Sequence, residues 1–202
     1  MINSNKLVYG IGVKGMDYLA YDGEKILKEY SLWGCMLRRC TKKWWDKYPT
    51  YVGTTCSENF KSYTFFYDWC QKQTGFNEKD KNGRRWPLDK DTLTRGNKVY
   101  SENTCVFVPE RINLLLTKCD TSRGEWPIGV YQDKNSKKFK SKCNNGTGKQ
   151  KRLGSFNTPQ EAFQAYKTFK EALIKQVANE YKEQLDSRVY EALMNYEVNE
   201  ND

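Results

Sequence analysis

The sequence predicts an α+β protein with three parts: helices at the N-terminus, a central strand–loop–strand–helix segment, and a three-stranded antiparallel sheet packed on a long helix. Three observations carry this prediction. Apolar residues recur at three-to-four spacing between residues 30 and 74, which is typical of helices. Short apolar runs separated by turn-forming residues occupy residues 86 to 156, which is typical of strands. A capping-box sequence, Thr158 to Glu161, then opens a long amphipathic segment.

The N-terminal part is expected to hold two helices after an irregular arm. Residues 1 to 29 alternate glycines with short apolar pieces and predict an arm with a short strand pair. Residues 30 to 47 carry an apolar stripe and predict the first helix. The second is predicted for Ser57 to Thr74, because serine is a good N-cap and Gly75 is a natural C-terminal stop.

The central segment, Trp86 to Leu116, predicts a strand, a polar loop, a second strand at Thr104 to Val108 and a short helix after Pro109. The first strand ends in two acids, Asp89 and Asp91. A pair of aspartates that only closes a hairpin turn would explain them. Carboxylates are also the ligands that Mg²⁺ prefers. Both interpretations stay open at this point.

The C-terminal part follows a linker at Asp120 to Pro127. Its predicted strands are Ile128 to Gln132, Lys137 to Lys142 and Lys151 to Phe156. A long helix follows, then a shorter one at Ser187 to Tyr196, and the last six residues are expected to fray. The predicted domains are 1–119, 126–184 and 185–202.

The formal charge of the chain is +9, and the excess is uneven. Residues 134 to 152 are strongly basic, whereas the tail from Glu180 onward is mostly acidic. A basic stretch of this kind indicates a nucleic-acid partner, because each neutralised phosphate releases counterions. An acidic protein partner and a merely solvated lysine surface are the alternatives.

The chain has no apolar run near the roughly 20 residues that a membrane helix needs, and residues 1 to 14 lack the apolar core of a signal peptide. We therefore expect no membrane partner and a cytoplasmic protein. There is no histidine, which excludes mechanisms that need an imidazole.

Seven cysteines stand in the chain without a C-x-x-C pair. An odd number without paired spacing favours reduced thiols over a disulfide framework. A zinc site built from Cys40, Cys56 and Cys105 is the weaker interpretation, because zinc sites usually draw ligands from closely spaced pairs.

Several blocks of the C-terminal part have the order and spacing of a known DNA-binding domain. They are Gly129-Val130-Tyr131, Lys138-Phe139-Lys140-Ser141, Arg152-Leu153-Gly154-Ser155-Phe156 and Glu161-Ala162. This stretch resembles the Apetala/ethylene-response-factor domain. The resemblance implies that the sheet contacts double-stranded DNA. Lysine stands at most positions where that family often has arginine or tryptophan, and lysine reads bases less sharply than arginine.

The central segment carries further blocks, namely Leu88-Asp89-Lys90-Asp91, Gly96-Asn97-Lys98 and Cys105-Val106-Phe107-Val108-Pro109. They resemble the HNH (ββα-metal) nucleases, and the whole chain resembles phage homing endonucleases that join this motif to an Apetala-type domain. The general-base histidine of that group is absent here. An acid would have to replace it: spacing to Asn103 favours Asp91, and the family's His-x-Asp pattern favours Asp89.

The resemblance implies a metal-dependent endonuclease. Asp89, Asp91 and Asn113 would bind Mg²⁺ or Mn²⁺, and Lys90 and Asn103 would complete the catalytic group. The expected DNA-binding residues are Arg38, Arg39, Lys42, Lys98, Arg111, Tyr131, Lys138, Lys140, Lys142, Lys151 and Arg152. The alternative is a regulator that binds DNA through the same fold without cutting it. The oligomeric state is left open.

Overall fold

A computed structural model describes residues 7–117, 125–200 and 202. The chain divides into two compact units, Met1–Val108 and Pro109–Asp202, which we call the first and second units. The mixture of helices, two-stranded ladders and a three-stranded sheet confirms the α+β class. The sequence analysis drew a domain boundary at 119, whereas this division places the helix after Pro109 in the second unit.

The first unit alternates short strands with helices. In chain order its elements are β1 (Tyr21–Asp22), β2 (Lys25–Ile26), α1 (Lys28–Arg39), α2 (Lys42–Lys47), β3 (Thr55–Cys56), α3 (Glu58–Lys61), α4 (Tyr63–Gln71), β4 (Leu88–Asp89), β5 (Val99–Tyr100) and β6 (Val106–Phe107). A 3₁₀ turn at Pro49–Tyr51 follows α2. The antiparallel pairing of β1 with β2 confirms the strand pair predicted for the N-terminal arm.

The second unit is a sheet covered by helices. Its elements are α5 (Glu110–Leu116), β7 (Val130–Gln132), β8 (Phe139–Asn144), β9 (Gln150–Phe156), α6 (Pro159–Glu180) and α7 (Ser187–Met194). The three strands form an antiparallel sheet in the order β7-β8-β9, as predicted. The capping box at Thr158 and Glu161 is present at the start of α6. The predicted linker at 120–127 lies mostly outside the described residues.

The single helix predicted for residues 30 to 47 is wrong, because the helix breaks at Cys40 and Thr41. The Thr41 hydroxyl donates to the Arg38 carbonyl at 2.7 Å, and this bond takes an acceptor that a continuing helix would use. Thr41 itself has an extended backbone and starts α2. Trp44 therefore lies on a separate helix from buried Trp33.

The single helix predicted for Ser57 to Thr74 is also wrong, although Ser57 is its N-cap as predicted. The N-terminal arm forms a bridge at Ser62, where the amide of Val13 donates to the Lys61 carbonyl at 2.8 Å and the amide of Tyr63 donates to the Val13 carbonyl at 2.9 Å. Ser62 then caps α4 by accepting from the Phe65 amide. A long-range contact thus overrides the helical pattern.

Two ladders position the central loop. β4 pairs antiparallel with β6, matching Leu88 to Phe107 and Asp89 to Val106, which confirms the predicted strand–loop–strand arrangement. Within the predicted polar loop, β5 pairs in parallel with β3, matching Cys56 to Tyr100. The sequence analysis did not predict this second ladder, because two-residue strands carry too little pattern to be recognised.

The core of the first unit is largely aromatic. Its fully buried side chains include Trp33, Phe60, Tyr63 and Phe66, which come from α1, α3 and α4. The Trp33 indole donates to the Phe60 carbonyl at 2.8 Å, so its one polar atom is satisfied. Four aromatic residues of the second predicted helix, Phe60, Tyr63, Phe66 and Trp69, are therefore core residues.

The core of the second unit lies between the sheet and α6. Cys143, Phe163, Tyr166 and Val198 are buried there together. The prediction that the last six residues fray is wrong for the part that the structure describes. Val198 is buried, and its amide donates to the Glu171 carboxylate at 2.8 Å. The buried Val198 side chain thus holds this part of the acidic tail against α6.

Candidate metal centre and nucleic-acid interface

Asp89 and Asp91 occupy one tight turn at the end of β4. The Asp89 Oδ1 atom accepts from the amides of Asp91 at 2.9 Å and Thr92 at 2.7 Å, so it closes the turn. Burial, together with the neighbouring Asp91 carboxylate, raises the pKa of Asp89. The fold thus holds two carboxylates close together at the point where the first strand ends.

Lys90 lies between these acids and pairs with Asp91, with 3.2 Å between its Nζ and Oδ2. Only 11% of the Lys90 side chain is exposed, and its Nζ lies 5.8 Å from the centre of the Tyr100 ring. Asn97 closes the other side of the loop, since its Nδ2 donates to the carbonyls of Lys90 at 2.6 Å and Val99 at 2.7 Å. The two Asn97 hydrogen bonds thus hold the backbone of the Asp89 turn against the start of β5.

The two asparagines of the predicted centre lie on other elements. Asn103 is exposed in the turn between β5 and β6. Asn113 is half-buried on α5 and belongs to the second unit. Its main-chain carbonyl accepts from the Thr117 hydroxyl at 3.0 Å. The first unit therefore brings Asp89, Lys90 and Asp91 together by itself.

The donor set of the turn fits a hard divalent cation, because two carboxylates repel one another in a partly buried place and a cation would relieve that repulsion. Among the described residues, no group of three or more cysteine, aspartate and glutamate side chains is arranged to hold a metal ion. The turn would thus supply two protein ligands, with water or substrate oxygens as the others.

Cys40 and Cys56 lie side by side and share a hydrogen bond. That bond, together with burial, raises the pKa of the Cys40 thiol, and the nearby Cys105 adds to this effect. Burial raises the pKa of Cys105 to about 12. All three are free thiols, and Cys119 lies outside the described residues. The three cysteines of the weaker zinc interpretation are thus neighbours, but among the described residues they form no metal-binding group.

The predicted DNA-binding cations of the first unit are engaged in different ways. Arg39 donates to the Tyr100 hydroxyl at 3.2 Å, and Lys98 donates to the Thr50 carbonyl. Arg38 lies over the Trp44 ring, with 4.4 Å between its guanidinium carbon and the ring centre. Lys42 is exposed at the start of α2.

The sheet of the second unit has a core face and an outer face. Ser141 and Cys143 of β8 are buried on the core face, whereas Lys142, which lies between them, points outward. Register places Tyr131 beside Lys140, and Lys142 beside Arg152. We call the surface formed by Tyr131, Lys138, Lys140, Lys142 and Arg152 the outer face.

Two of these cations are oriented by neighbours. Lys140 forms an ion pair with Asp133, and this bond, with the amides of Asn135 and Ser136, lowers the pKa of Asp133. The Lys142 Nζ lies 5.2 Å from the centre of the Tyr131 ring. Lys138 and Arg152 are exposed. The outer face therefore presents a row of cations with one aromatic ring among them.

Two further predicted DNA-binding residues lie elsewhere. Lys151 is opposite Cys143 in the ladder, and its Nζ lies 4.6 Å from the centre of the Phe169 ring on α6. It therefore belongs to the core side of β9. The β-bulge between Ser141 and Lys142 shifts the strand alternation there. Arg111 of α5 is held in an ion pair with Glu180.

Three residues that contact predicted site residues are not among those predicted from the sequence. Asn97 holds the Asp89 turn, Tyr100 contacts Arg39, and Asp133 holds Lys140. Asn97 stood in a Gly-Asn-Lys block whose turn composition was a usable signal. The other two partners depend on register, which no single-sequence pattern reveals.

Comparison of the chain with protein-family models, curated proteins and solved structures finds no match in any of the three. Within the described ranges, no helix combines the length and apolar character needed to cross a bilayer.

Proposed function

We propose that the protein is a divalent-metal-dependent endonuclease that binds double-stranded DNA, of the HNH-like phage homing type. One observation carries the proposal most directly. Asp89 and Asp91 are held close together at the end of β4, in surroundings that raise the pKa of Asp89. A carboxylate whose pKa is raised by burial and by a second acid is a candidate functional group.

In the proposed reaction the two carboxylates of the Asp89 turn would hold the cation. Bound there, Mg²⁺ or Mn²⁺ supplies a Lewis acid that stabilises negative charge on the phosphate. One of the acids would accept the proton of the attacking water in place of the missing histidine. The water oxygen would bond to phosphorus as the phosphorus–oxygen bond to one sugar breaks, and the departing sugar oxygen would take its proton from solvent. Lys90, which neutralises Asp91 in the free protein, is placed to exchange that partner for a phosphate oxygen.

The outer face is the proposed duplex-binding surface. Lys138, Lys142 and Arg152 contact phosphates, and a two- or three-stranded ribbon of this width fits the DNA major groove. The contact between Lys142 of the central strand β8 and Tyr131 of the edge strand β7 supports the proposal, because it places a cation and a ring together on this face. Lysine-rich contacts would favour affinity over sequence preference.

A cleavage assay tests the enzymatic part. Supercoiled plasmid is incubated with the protein and Mg²⁺ or Mn²⁺, and the wild type is compared with Asp89→Asn and Asp91→Asn. Asparagine keeps the Oδ1 acceptor that closes the turn but removes the charge that holds a cation. We expect metal-dependent nicking or cutting by the wild type, reduced on the order of 100-fold or more in each variant.

Asp80→Asn is the matched control. Asp80 also closes a turn in the first unit, where its Oδ1 accepts from the amides of Asn82 at 2.8 Å and Arg84 at 2.9 Å. It has no place in the proposed centre, so cleavage should persist. Equal loss in all three variants would assign the effect to folding and would contradict the proposed roles.

A second candidate function is a DNA-binding regulator that does not cut. The observation in its favour is that Asp89 already has a structural task in closing the turn. The complete lack of histidine points the same way. Intact duplex binding with no metal-dependent cleavage of any DNA substrate would select this candidate over the endonuclease.

A further inference from the structure

A short helix of the first unit leaves its aromatic residues at the surface. Helix α2 has no buried residue among those it contains, although two of its six positions are tryptophans. Trp44 and Trp45 are half-buried, and 37% of the Tyr48 side chain is exposed just after the helix. Burying an aromatic side chain is strongly favourable, so this partial exposure indicates a contact surface.

The rings of Trp44 and Tyr48 lie together with that of Tyr51, which follows in the 3₁₀ turn. The ring centres of Trp44 and Tyr48 are 4.3 Å apart, and those of Trp44 and Tyr51 are 6.4 Å apart. We call Trp44, Tyr48 and Tyr51 the aromatic platform. The 3₁₀ turn at Pro49–Tyr51 holds it, since the Tyr51 amide donates to the Tyr48 carbonyl at 3.0 Å.

Cations border every ring of the platform. The guanidinium carbon of Arg38 lies 4.4 Å from the centre of Trp44, and that of Arg39 lies 5.5 Å from the centre of Tyr51. The Lys47 Nζ lies 5.3 Å from the centre of Tyr48. Lys42 and Lys43 are exposed on the same helix, and Asp46 is the only acid between residues 38 and 47.

Rings and cations together match one ligand better than its rivals. Stacking needs the open face of a base, which a duplex hides and an unpaired strand presents. The cations suit the phosphates of the same strand. An acidic peptide would contact the cations but not stack on the rings. An apolar peptide would contact the rings but leave the surrounding cations without a partner of opposite charge.

We propose that the aromatic platform binds unpaired nucleic acid, with a base stacked on Tyr48, which Trp44 supports from behind, and phosphates on Lys42, Lys43 and Lys47. This surface belongs to the first unit, whereas the proposed duplex-binding face belongs to the second. The inference goes beyond the proposed function and does not rest on it, because neither the Asp89 turn nor the sheet enters the argument.

Fluorescence anisotropy with a labelled oligo(dT) tests the proposal on the full chain. We expect the wild type to bind, Tyr48→Ala to bind roughly tenfold more weakly, and Tyr48→Phe to match the wild type because it keeps the ring. Tyr48 is the better target, since truncating the less exposed Trp44 would disturb its packing. Circular dichroism confirms that each variant is folded.

Tyr21→Ala is the matched control. Tyr21 is 51% exposed on β1 of the same unit but has no part in the platform, so oligo(dT) binding should not change. An equal loss for Tyr48→Ala and Tyr21→Ala, or no loss for Tyr48→Ala, would overturn the proposal. Oligo(U) captured with the same dependence on Tyr48 would support it, because ring faces do not distinguish the two sugars.

Discussion

At the scale of single residues, the face of the sheet on which a side chain lies decides its role more than its residue type does. Lys151 and Arg152 are adjacent cations of β9, yet Arg152 lies on the outer face and Lys151 lies over Phe169 on the core side. Composition alone would assign both to DNA. The pairing register separates them, and it makes the two positions a matched test of the proposed duplex interface.

We predict that Arg152→Ala weakens duplex binding and that Lys151→Ala does not. Removing one phosphate contact should make the slope of log K against log salt less negative by about 0.9. The measurement is a salt titration of duplex affinity by anisotropy for the wild type and both variants.

Loss of Phe169 packing in Lys151→Ala is monitored separately by thermal unfolding. If Lys151→Ala made the salt slope less negative by as much as Arg152→Ala, the outer face would not be the contact surface.

The candidate site residues were easier to predict than their partners. Asp89 and Asp91 stand out in sequence because acids follow an apolar strand. Asp133 did not stand out, because its bond to Lys140 exists only once β7 and β8 are paired. The same holds for Arg39 and Tyr100, which are far apart in sequence. Local patterns thus show candidates but not the network that orients them.

At the scale of elements, prediction succeeded where a pattern was long and failed where a tertiary contact intervened. The capping box and the 22-residue α6 illustrate the first case. The breaks at Thr41 and Ser62 illustrate the second, since one depends on a side-chain bond and the other on the N-terminal arm. Strand pairs of only two residues, such as β3 with β5, carry almost no local signal.

Attachment of the sheet to α6 depends on a glycine. Gly129 has a φ of +77°, and a Cβ atom there would lie 2.0 Å from the Tyr166 ring. We predict that Gly129→Ala destabilises the second unit by about 3 kcal/mol or more, since backbone strain adds to overpacking. Urea unfolding followed by far-ultraviolet circular dichroism measures it.

Gly148→Ala separates the two causes. Gly148 has a φ of +82°, and a Cβ atom there would meet nothing within 4 Å. Its substitution should cost only the backbone strain, about 1 kcal/mol. Similar losses for both variants would show that contact with Tyr166 is unimportant.

At the scale of the whole molecule, charge is divided more sharply than the net +9 suggests. Cations concentrate on the outer face and around α2, whereas acids concentrate in the tail from Glu180 onward. The composition predicted this division, and it favours a polyanionic partner. Composition did not indicate that the cations form two basic surfaces, because which cations share a surface depends on the face of each strand or helix on which they lie.

We predict strongly salt-dependent duplex binding by the wild type. If Lys138, Lys142 and Arg152 each contact one phosphate, the slope of log K against log salt is about −2.7. Affinity should then fall about 40-fold between roughly 0.05 M and 0.2 M salt. A slope shallower than about −1 in a filter-binding titration would contradict a phosphate-based interface and would favour an acidic protein partner.

The parallel ladder between β3 and β5 has a consequence for how the chain is made. Thr55 and Cys56 leave the ribosome well before Val99 and Tyr100, the partners that satisfy their backbone groups. Helices α1 and α4 pack as soon as Gln71 has emerged, but β3 keeps an open edge until Tyr100 follows. The antiparallel sheet of β7, β8 and β9 instead joins strands that are consecutive in the chain, so each finds its neighbour soon after synthesis. Until β5 has been synthesised, β3 of the nascent chain is thus an unpaired strand edge.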